Sequence, residues 1–341
     1  MNKIIIIPLL FLIQPSYAQP LVLLNWADYI DPTVLAEFQR QTGIEVKEVY
    51  FDSDDGRNDL MTRSKGKGYD LIMLNGLAID LYRKQNWLAQ IPSPQPNNLI
   101  HIDKKWSQAF ASSEKYAVPY FWGTTGIAYR KDLINQPINS WQQIFSPIDE
   151  LKGKITMMDS AREVMAASLK SLGYSINSRN NHEFTSALTR LQEQSQYVKT
   201  YIGVDLDESS ALLSGETLVA MMYSGDALML QDLSANIEYV VPQEGSNLWV
   251  DFLSVSAFSP QKENAWKFIN FINQPRVSAQ LANYVYCAPA NKAAKKLLSQ
   301  EFLANSTIFP NKDKLNKSEL FKPIPARQLK KLTKTFKQLE K

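Results

Sequence analysis

Acidic and aromatic side chains recur in this sequence at points where predicted β-strands end. The first group is Asn25, Trp26, Asp28 and Tyr29, which follows the short apolar run 21–24. A flat aromatic ring beside a carboxylate suits an organic cation, because the ring face attracts the charge and the acid pairs with it. Ordinary turn and core residues at a strand end have the same types, so this group alone does not decide between the two interpretations.

An acid or an aromatic residue returns at three later predicted strand ends, as Tyr223 with Asp226, as Trp249 with Asp251, and as Tyr286 alone. Glu163 adds another acid, in the first turn of a predicted helix that follows a strand. Each has an ordinary alternative, since a helix dipole favours an acid at its N-terminus and an aromatic side chain with a polar tip can pack in a core. Trp249 and Asp251 stand two residues apart and therefore point to one face of a strand, which a core explains less easily. Together these groups predict a cleft that binds a cation.

The sequence lacks the common signatures of enzymes and metal sites. It contains two histidines, His101 and His182, and neither has Cys, Asp or Glu at the usual ligand spacing apart from the adjacent Glu183. There is no Gly-x-Ser-x-Gly motif, and the glycines at 66 and 68 precede a strand, so they form no dinucleotide loop. We therefore expect a binding protein, not an enzyme, with no cofactor and no metal. An exported hydrolase that uses two of the acids stays open as an alternative, because any two carboxylates can meet in a fold.

Strands must carry these side chains to one place, and the sequence pattern supplies them. Predicted strands at 21–24, 44–51 and 69–74 alternate with predicted helices at 32–41, 57–64 and 77–88, with residues 52–56 as a loop. A second pattern of the same kind begins with a strand at 154–158. This alternation indicates an α/β fold in which each half is a mainly parallel sheet flanked by helices. In such sheets, ligands bind outside the carboxyl ends of the strands.

Two extended segments connect the two patterns. Residues 116–129 contain Gly123-Thr124-Thr125-Gly126 between two extended runs, which suits a hinge, although a strand with a glycine bulge fits equally well. Residues 248–255 can form a second crossover. We therefore expect two discontinuous lobes, an N-terminal lobe of residues 19–124 and 250–296 and a C-terminal lobe of residues 125–249 and 297–341.

The two ends of the chain have distinct compositions. Residues 1–18 combine a basic start, an apolar run and a small-residue cleavage site after Ala18, which predicts a cleavable signal peptide and export. Residues 311–341 carry ten basic and three acidic side chains, a bias that nucleic-acid binding would also produce. Export argues against nucleic acid. An amphipathic helix with a solvated lysine face explains the bias more simply, because apolar residues recur at helical spacing at Leu329, Leu332, Phe336 and Leu339.

The chain contains one cysteine, Cys287. An intrachain disulfide is therefore impossible, and the core must hold the fold together. A lone cysteine is more often a small buried apolar residue than a reactive thiol.

Short segments in a fixed order along the chain carry a resemblance to a known family. They are Asn25-Trp26-Ala27-Asp28-Tyr29, Thr42-Gly43-Ile44, Tyr69-Asp70-Leu71, Pro119-Tyr120-Phe121-Trp122, Ala161-Arg162-Glu163-Val164, Trp249-Val250-Asp251, Phe268-Ile269-Asn270-Phe271, and Tyr286 with Pro289 and Asn291. In this order and spacing the chain resembles the periplasmic polyamine-binding proteins of ABC importers, the spermidine and putrescine receptors. The resemblance implies a two-lobe, type II-like periplasmic binding protein with the ligand in the interlobe cleft. It also implies a periplasmic location and delivery of a polyamine to an inner-membrane ABC permease. We expect a monomer with no nucleic-acid partner.

The resemblance also assigns roles position by position. It implies an aromatic box made by Trp26, Tyr29, Trp249 and Tyr286. Asp251 would pair with one amine and Glu163 would accept from another nitrogen, while Asp28 and Asp226 match the pattern of putrescine receptors. Asn75 and Tyr223 complete the expected ligand-binding set, at positions where the family usually has serine and tryptophan.

One departure from the family bears on the ligand. Ser160 stands where spermidine receptors carry an acid, three residues before Glu163. An unpaired buried charge is strongly unfavourable, so fewer acids in the cleft disfavour a third ammonium group. We therefore favour putrescine, with spermidine next. Another organic cation, such as agmatine or cadaverine, and a role as a sensor remain alternatives within the same fold.

Overall fold

The computed structural model describes residues 19–339 of the chain. The predicted signal peptide, residues 1–18, lies outside the described residues, as do residues 340 and 341. Within residues 19–339, no helix is long and apolar enough to cross a membrane.

The first part of the chain alternates strands and helices as predicted. Its elements are β1 (Leu21–Trp26), α1 (Pro32–Thr42), β2 (Val46–Phe51), α2 (Asp54–Arg63), β3 (Leu71–Asn75), α3 (Gly76–Lys84), α4 (Lys104–Ser107) and α5 (Ser113–Tyr116). Asp31 begins α1 by accepting a hydrogen bond from the backbone N–H of Thr33, and Gly43 ends it in the left-handed region at φ 73°. Ser53 caps α2 in the same way by accepting from Gly56. This helix therefore begins three residues earlier than predicted, where the sequence suggested a loop.

A single strand, β4 (Val118–Arg130), then leaves the first part of the chain. Its two glycines continue the strand. A Cβ atom at Gly123 would lie 2.3 Å from Cζ2 of Trp249, and one at Gly126 would lie 2.5 Å from the phenol oxygen of Tyr239. Close packing of aromatic rings against the backbone therefore requires glycine at both positions. The two extended segments that the sequence predicted are one continuous strand.

The second part of the chain repeats the alternation. Its elements are α6 (Trp141–Phe145), β5 (Ile155–Met157), α7 (Ala161–Ser171), α8 (Asn181–Ser195), β6 (Val198–Tyr201), α9 (Ala211–Ser214), β7 (Val219–Tyr223), α10 (Ser224–Leu233) and β8 (Ile237–Val240). The strand β9 (Asn247–Val255) then returns to the first part, as the sequence predicted for residues 248–255.

The last part of the chain is mostly helical. Its elements are α11 (Lys262–Ile272), α12 (Pro275–Val285), β10 (Ala288–Pro289), α13 (Gln300–Ala304), α14 (Lys312–Lys317), β11 (Glu319–Leu320) and α15 (Ala326–Leu339). Short 3-10 helices lie at Asn97–His101, Asp149–Leu151 and Ala294–Leu297. Tyr286 was predicted to stand at the end of a strand, and this is wrong. The helix α12 runs to Val285, and Tyr286 ends it in a left-handed conformation with φ 54°.

One sheet joins both parts of the chain, with the strand order β2-β1-β3-β9-β4-β7-β5-β6. The pairs β1–β2, β1–β3, β5–β6 and β5–β7 are parallel. Each antiparallel pairing between the described strands involves β4 or β9. Because β4 pairs with β9 up to Thr124 and with β7 from Thr125, it passes from one part of the sheet to the other between these two residues.

The buried apolar side chains form two large clusters. The first is built mainly from residues 21–122 and 250–308, and the second mainly from residues 127–221 with Leu332 and Phe336 of α15. The predicted lobe boundaries stay a prediction. The place of Leu298 and Ile308 in the first cluster favours assigning residues 298–309 to the first lobe.

The predicted amphipathic terminal helix is confirmed as α15. Leu332 and Phe336 are buried, while Leu329 is 49% exposed, so the buried face is narrower than the spacing predicted. Cys287 is a free, buried thiol, as expected of a small apolar residue.

Candidate functional site

Asp251 lies on β9 directly beside Asn75, the last residue of β3, so strand pairing brings two predicted site residues together. The phenol O–H of Tyr29 donates to Oδ2 of Asp251 at 2.9 Å, which adds a third. Burial raises the pKa of Asp251 to about 7, although the hydrogen bond from Tyr29 acts in the opposite direction. The carboxyl group of Asp251 is therefore poised to change its charge near neutral pH.

Glu163 lies in the first turn of α7 and is only 4% exposed. Its Oε2 accepts a hydrogen bond from the hydroxyl of Thr125 at 2.9 Å, and its Oε1 accepts from the side-chain amide of Asn247 at 2.7 Å. Burial raises the pKa of Glu163 to about 7, although these two hydrogen bonds act to lower it. Since Thr125 belongs to β4 and Asn247 begins β9, Glu163 contacts both crossover strands.

Asp226 lies in the first turn of α10, directly after β7. Burial raises its pKa to about 6. A Cβ atom on the neighbouring Gly225 would lie 3.0 Å from Sγ of Cys287. After burial, the charges of Asp226 and Asp251 both raise the pKa of the Cys287 thiol, so the two acids lie near the same buried sulfur.

Two aromatic rings lie among these acids. Tyr223 and Trp249 meet edge to face with their ring centroids 6.0 Å apart, and Trp249 lies against the backbone of Gly123. Burial raises the pKa of Tyr223 first, and four carboxylates raise it further: Glu163, Asp54, Asp226 and Asp251. The charges of these four acids therefore all act on the phenol of Tyr223. We call Tyr29, Glu163, Tyr223, Asp226, Trp249 and Asp251 the inner group.

Asp54 was missed by the sequence analysis, which placed it in a loop. It lies in the first turn of α2, where Oδ2 accepts from the side-chain amide of Asn75 at 2.6 Å and Oδ1 lies 2.6 Å from Nη1 of the buried Arg57. The signal was present in the sequence, because Asp54 follows the end of β2 as the other acids follow their strands. Asn75 also caps α3 by accepting from the backbone N–H of Ala78 at 3.0 Å. The side chain of Asn75 therefore donates a hydrogen bond to Asp54 and caps the N-terminus of α3.

In the described part of the chain, no hydrogen bond or ring contact joins three of the predicted site residues to the inner group. Trp26 packs on Phe51 with ring centroids 4.3 Å apart, and Asp28 is exposed in a left-handed turn with φ 54°. The phenol of Tyr286 donates to the carboxylate of Asp232 on α10. We call Trp26, Asp28 and Tyr286 the rim group.

The inner group has the chemistry of a cation site. Among residues 19–339, none of Glu163, Asp226 and Asp251 forms an ion pair with a basic side chain. The described part of the chain also contains no cluster of His, Cys, Asp and Glu that could hold a metal ion. A buried carboxylate without a positive partner is unfavourable when charged, so a cation that enters this group would stabilise its ionised form.

The sequence pattern of a protein family described as "Bacterial extracellular solute-binding protein" matches residues 33–311. The chain belongs to this family. The match covers most of the chain, including Glu163, Tyr223, Asp226, Trp249 and Asp251 of the inner group.

Individual relatives of this solute-binding protein match along nearly their full length. The chain is 30% identical over 297 residues to the "Spermidine/putrescine-binding periplasmic protein" of Salmonella typhimurium, covering 86% of this chain and 84% of the relative. It is 28% identical over 306 residues to the "Norspermidine sensor" of Vibrio cholerae, covering 89% and 84%. The crystal structure of the spermidine/putrescine ABC transporter substrate-binding protein PotD from Streptococcus pneumoniae is similar with a TM-score of 0.83, at 28% identity over 95% of this chain and 100% of that chain. The predicted α/β fold of a periplasmic binding protein is confirmed.

Proposed function

We propose that this solute-binding protein captures a linear polyamine in the periplasm and delivers it to an ABC permease of the inner membrane. The observation that carries the proposal is the inner group, where the charges of Asp226 and Asp251 both raise the pKa of Tyr223, whose ring contacts Trp249, and where neither acid forms an ion pair with a basic side chain of the described residues. A polyamine has ammonium groups for the carboxylates and methylene groups for the rings. The printed names of the relatives, which include a spermidine/putrescine-binding periplasmic protein and an ABC transporter substrate-binding protein, support the same ligand class and role.

Capture needs no covalent step. An ammonium group beside Asp251 or Asp226 lowers the pKa of that carboxyl group, so the acid ionises as the ligand binds. The aromatic rings exclude water from the new ion pairs and thereby strengthen them. We expect the protein to close around its ligand as a monomer and to present the closed form to its permease.

The ligand we propose first is putrescine, with spermidine next. Of the three acids in the inner group, Glu163 already accepts hydrogen bonds from Thr125 and Asn247 with its two oxygens, which leaves Asp226 and Asp251 to match the two ammonium groups of a diamine. Asp54 is a further acid nearby, but Arg57 already lies 2.6 Å from it and neutralises its charge. Ser160, at the start of α7, supplies no charge for a third ammonium group.

Calorimetric titration of the mature protein, stripped of ligand, tests the proposal. The panel is putrescine, cadaverine, agmatine and spermidine, measured on the wild type, on Asp251→Asn and on Glu238→Gln, an exposed acid on β8. The proposal predicts one-to-one binding that Asp251→Asn removes and Glu238→Gln leaves unchanged. Tighter binding of spermidine than of putrescine would overturn the ligand order alone. No binding of any polyamine would overturn the function.

A second candidate function is a polyamine sensor, which the similarity to the norspermidine sensor of Vibrio cholerae favours. Transport into vesicles that contain an ABC permease with its ATPase from the same organism separates the two roles, because only a transport receptor stimulates uptake. The same samples test for an exported hydrolase. We expect the polyamine to be recovered chemically unchanged after long incubation.

A further inference from the structure

One face of α10 contacts residues of the predicted N-terminal lobe, although α10 itself lies in the predicted C-terminal lobe. The face consists of Gly225, Leu228 and Asp232, which are spaced by three and four residues. A Cβ atom at Gly225 would lie 3.0 Å from Sγ of Cys287. Leu228 is 5% exposed and packs in the first apolar cluster, and the carboxylate of Asp232 accepts a hydrogen bond from the phenol of Tyr286. All three contacts therefore cross the boundary between the two predicted lobes.

The rest of α10 fixes where these contacts lie. Ala227 and Leu230 pack in a third, smaller apolar cluster with residues of β7 and β8, so the helix is part of the second half of the molecule. Its first residue, Ser224, accepts a hydrogen bond from the backbone N–H of Thr124 at 3.3 Å, at the point where β4 passes between the two parts of the sheet. Asp232 lies about 12 Å from Ser224 along the helix axis. Because a contact far from a hinge separates most when two lobes rotate apart, the contact of Asp232 depends most on closure.

Tyr286 is held in place from the other side. Its backbone adopts a left-handed conformation with φ 54°, which is uncommon for an aromatic residue. Val285 and Cys287 on either side are buried in the first apolar cluster and anchor this backbone. The hydrogen bond to Asp232 raises the pKa of Tyr286, so the phenol stays protonated and continues to donate. The backbone of Tyr286 is therefore fixed by one predicted lobe and its hydroxyl by the other.

We propose that Asp232 is a positioning residue that holds Tyr286 across the rim of the cleft and thereby favours the closed arrangement of the two lobes. We call this contact the rim latch. The effect of the latch on ligand affinity rests on the proposed function. When fewer molecules adopt the arrangement that a ligand needs, the ligand binds more weakly. Asp232 is exposed, so water screens its charge, and it acts through Tyr286 and not directly on the ligand.

Four variants separate the latch from a simple charge effect. Tyr286→Phe removes the hydroxyl and keeps the ring, and Asp232→Ala removes the acceptor. Asp232→Asn removes the charge but keeps a side-chain oxygen that accepts from the phenol, so it serves as the conservative rescue. Glu238→Gln, which changes an exposed acid on β8 of the same predicted lobe, is the matched control.

The measurements are the Kd for putrescine and the distribution of distances between two fluorophores, with and without ligand. The fluorophores are attached to cysteines introduced at Lys47 and Glu193, which are exposed residues of the two predicted lobes, while the buried Cys287 stays unlabelled. We expect Tyr286→Phe and Asp232→Ala each to raise the Kd by about fivefold, the value of one hydrogen bond, and to shift the ligand-free protein towards open distances. The double variant should bind no more weakly than either single variant, because both changes remove the same bond.

Asp232→Asn and Glu238→Gln should stay within about twofold of the wild-type Kd. Equal losses in Asp232→Asn and Asp232→Ala would overturn the proposal, because the charge of Asp232 would then act on the ligand directly. Losses that add in the double variant of Asp232 and Tyr286 would also overturn it, because the two side chains would then act independently.

The latch can be tested even if the wild type binds no polyamine and the proposed function fails. The distance distribution of the ligand-free protein then decides. Tyr286→Phe and Asp232→Ala must shift this distribution towards open distances, and Asp232→Asn must leave it unchanged. Any other pattern rejects the latch.

Discussion

The inner group and the rim group contain the same kinds of side chain in different surroundings. In the inner group, burial raises the pKa of Asp251 and of Asp226. In the rim group, Asp28 is exposed to solvent, and Tyr286 already donates its phenol hydrogen to Asp232. From this comparison we expect an acid next to an aromatic ring to favour a cation strongly only where its exposure to water is reduced and no basic side chain pairs with it. The predictions below test this difference between the two groups.

The largest expected effect is at Asp251. Replacing Asp251 by asparagine leaves a ligand ammonium without its partner in a buried place, which costs about 3 kcal/mol or about 100-fold in Kd. Titration calorimetry with putrescine measures the change. The same substitution at the exposed Glu238 should leave the Kd unchanged, and a loss below about fivefold at Asp251 would place the ligand elsewhere.

The affinity should also depend on pH. The pKa of Asp251 is about 7 in the ligand-free protein. Below that pH its carboxyl group is mostly protonated, so ligand binding must displace a proton. We expect the Kd for putrescine to rise by about 20-fold from pH 7.5 to pH 5.5 through this one group. Titrations across this range measure the slope. A flat profile would mean that Asp251 is ionised before the ligand arrives.

The stability of the ligand-free protein should change in the opposite sense. The pKa of Asp226 is raised to about 6 in the folded protein, so the folded state binds a proton more tightly than the unfolded state. Its charge therefore destabilises the ligand-free fold above that pH, and stability from this group increases as the pH falls towards 5. We expect Asp226→Asn to raise the free energy of unfolding at pH 7.5 by up to about 3 kcal/mol, the value of a rise in pKa from 3.8 to about 6. Urea unfolding measures it, and destabilisation would contradict the account.

The smallest effect is expected in the rim group. Asp28 is exposed, so water screens its charge and an ion pair there contributes about 0–1 kcal/mol. We expect Asp28→Asn to change the Kd for putrescine by less than about threefold. The same titration measures it next to Asp251→Asn. Equal losses in the two variants would remove the distinction between inner and rim groups.

The sequence predicted the individual strands and helices better than the way β4 connects the two parts of the sheet. The elements β1 to β3 and the helices between them could be predicted, because they depend on short-range features. These features are local patterns of apolar residues and helix caps such as Asp31 and Gly43. The continuity of β4 through Gly123 and Gly126 depends on the rings of Trp249 and Tyr239, which lie far away in sequence. No local pattern contains that information.

The candidate site was also predictable in part: the sequence indicated most of its acids but not the contacts that some of its residues make. Residue types and strand ends led to Asp251, Glu163 and Asp226, which burial then distinguishes from Asp28. The same reasoning overlooked Asp54, because the capping role of Ser53 was not recognised and the helix was started too late. Asn75 was expected to bind the ligand, and its hydrogen bonds to Asp54 and to Ala78 could be seen only in the folded protein.

The most direct test of the central claim is the number of protons exchanged when the ligand binds. Titrations of putrescine at pH 6.5, repeated in buffers with different ionisation enthalpies, measure it. Putrescine remains fully charged at this pH, so any protons released come from the protein. If Asp251 and Asp226 ionise on binding, with pKa values of about 7 and about 6 in the ligand-free protein, about one proton is released per ligand bound. No proton release, or an uptake of protons, would contradict the claim that partly buried carboxylates without a basic partner receive the ligand.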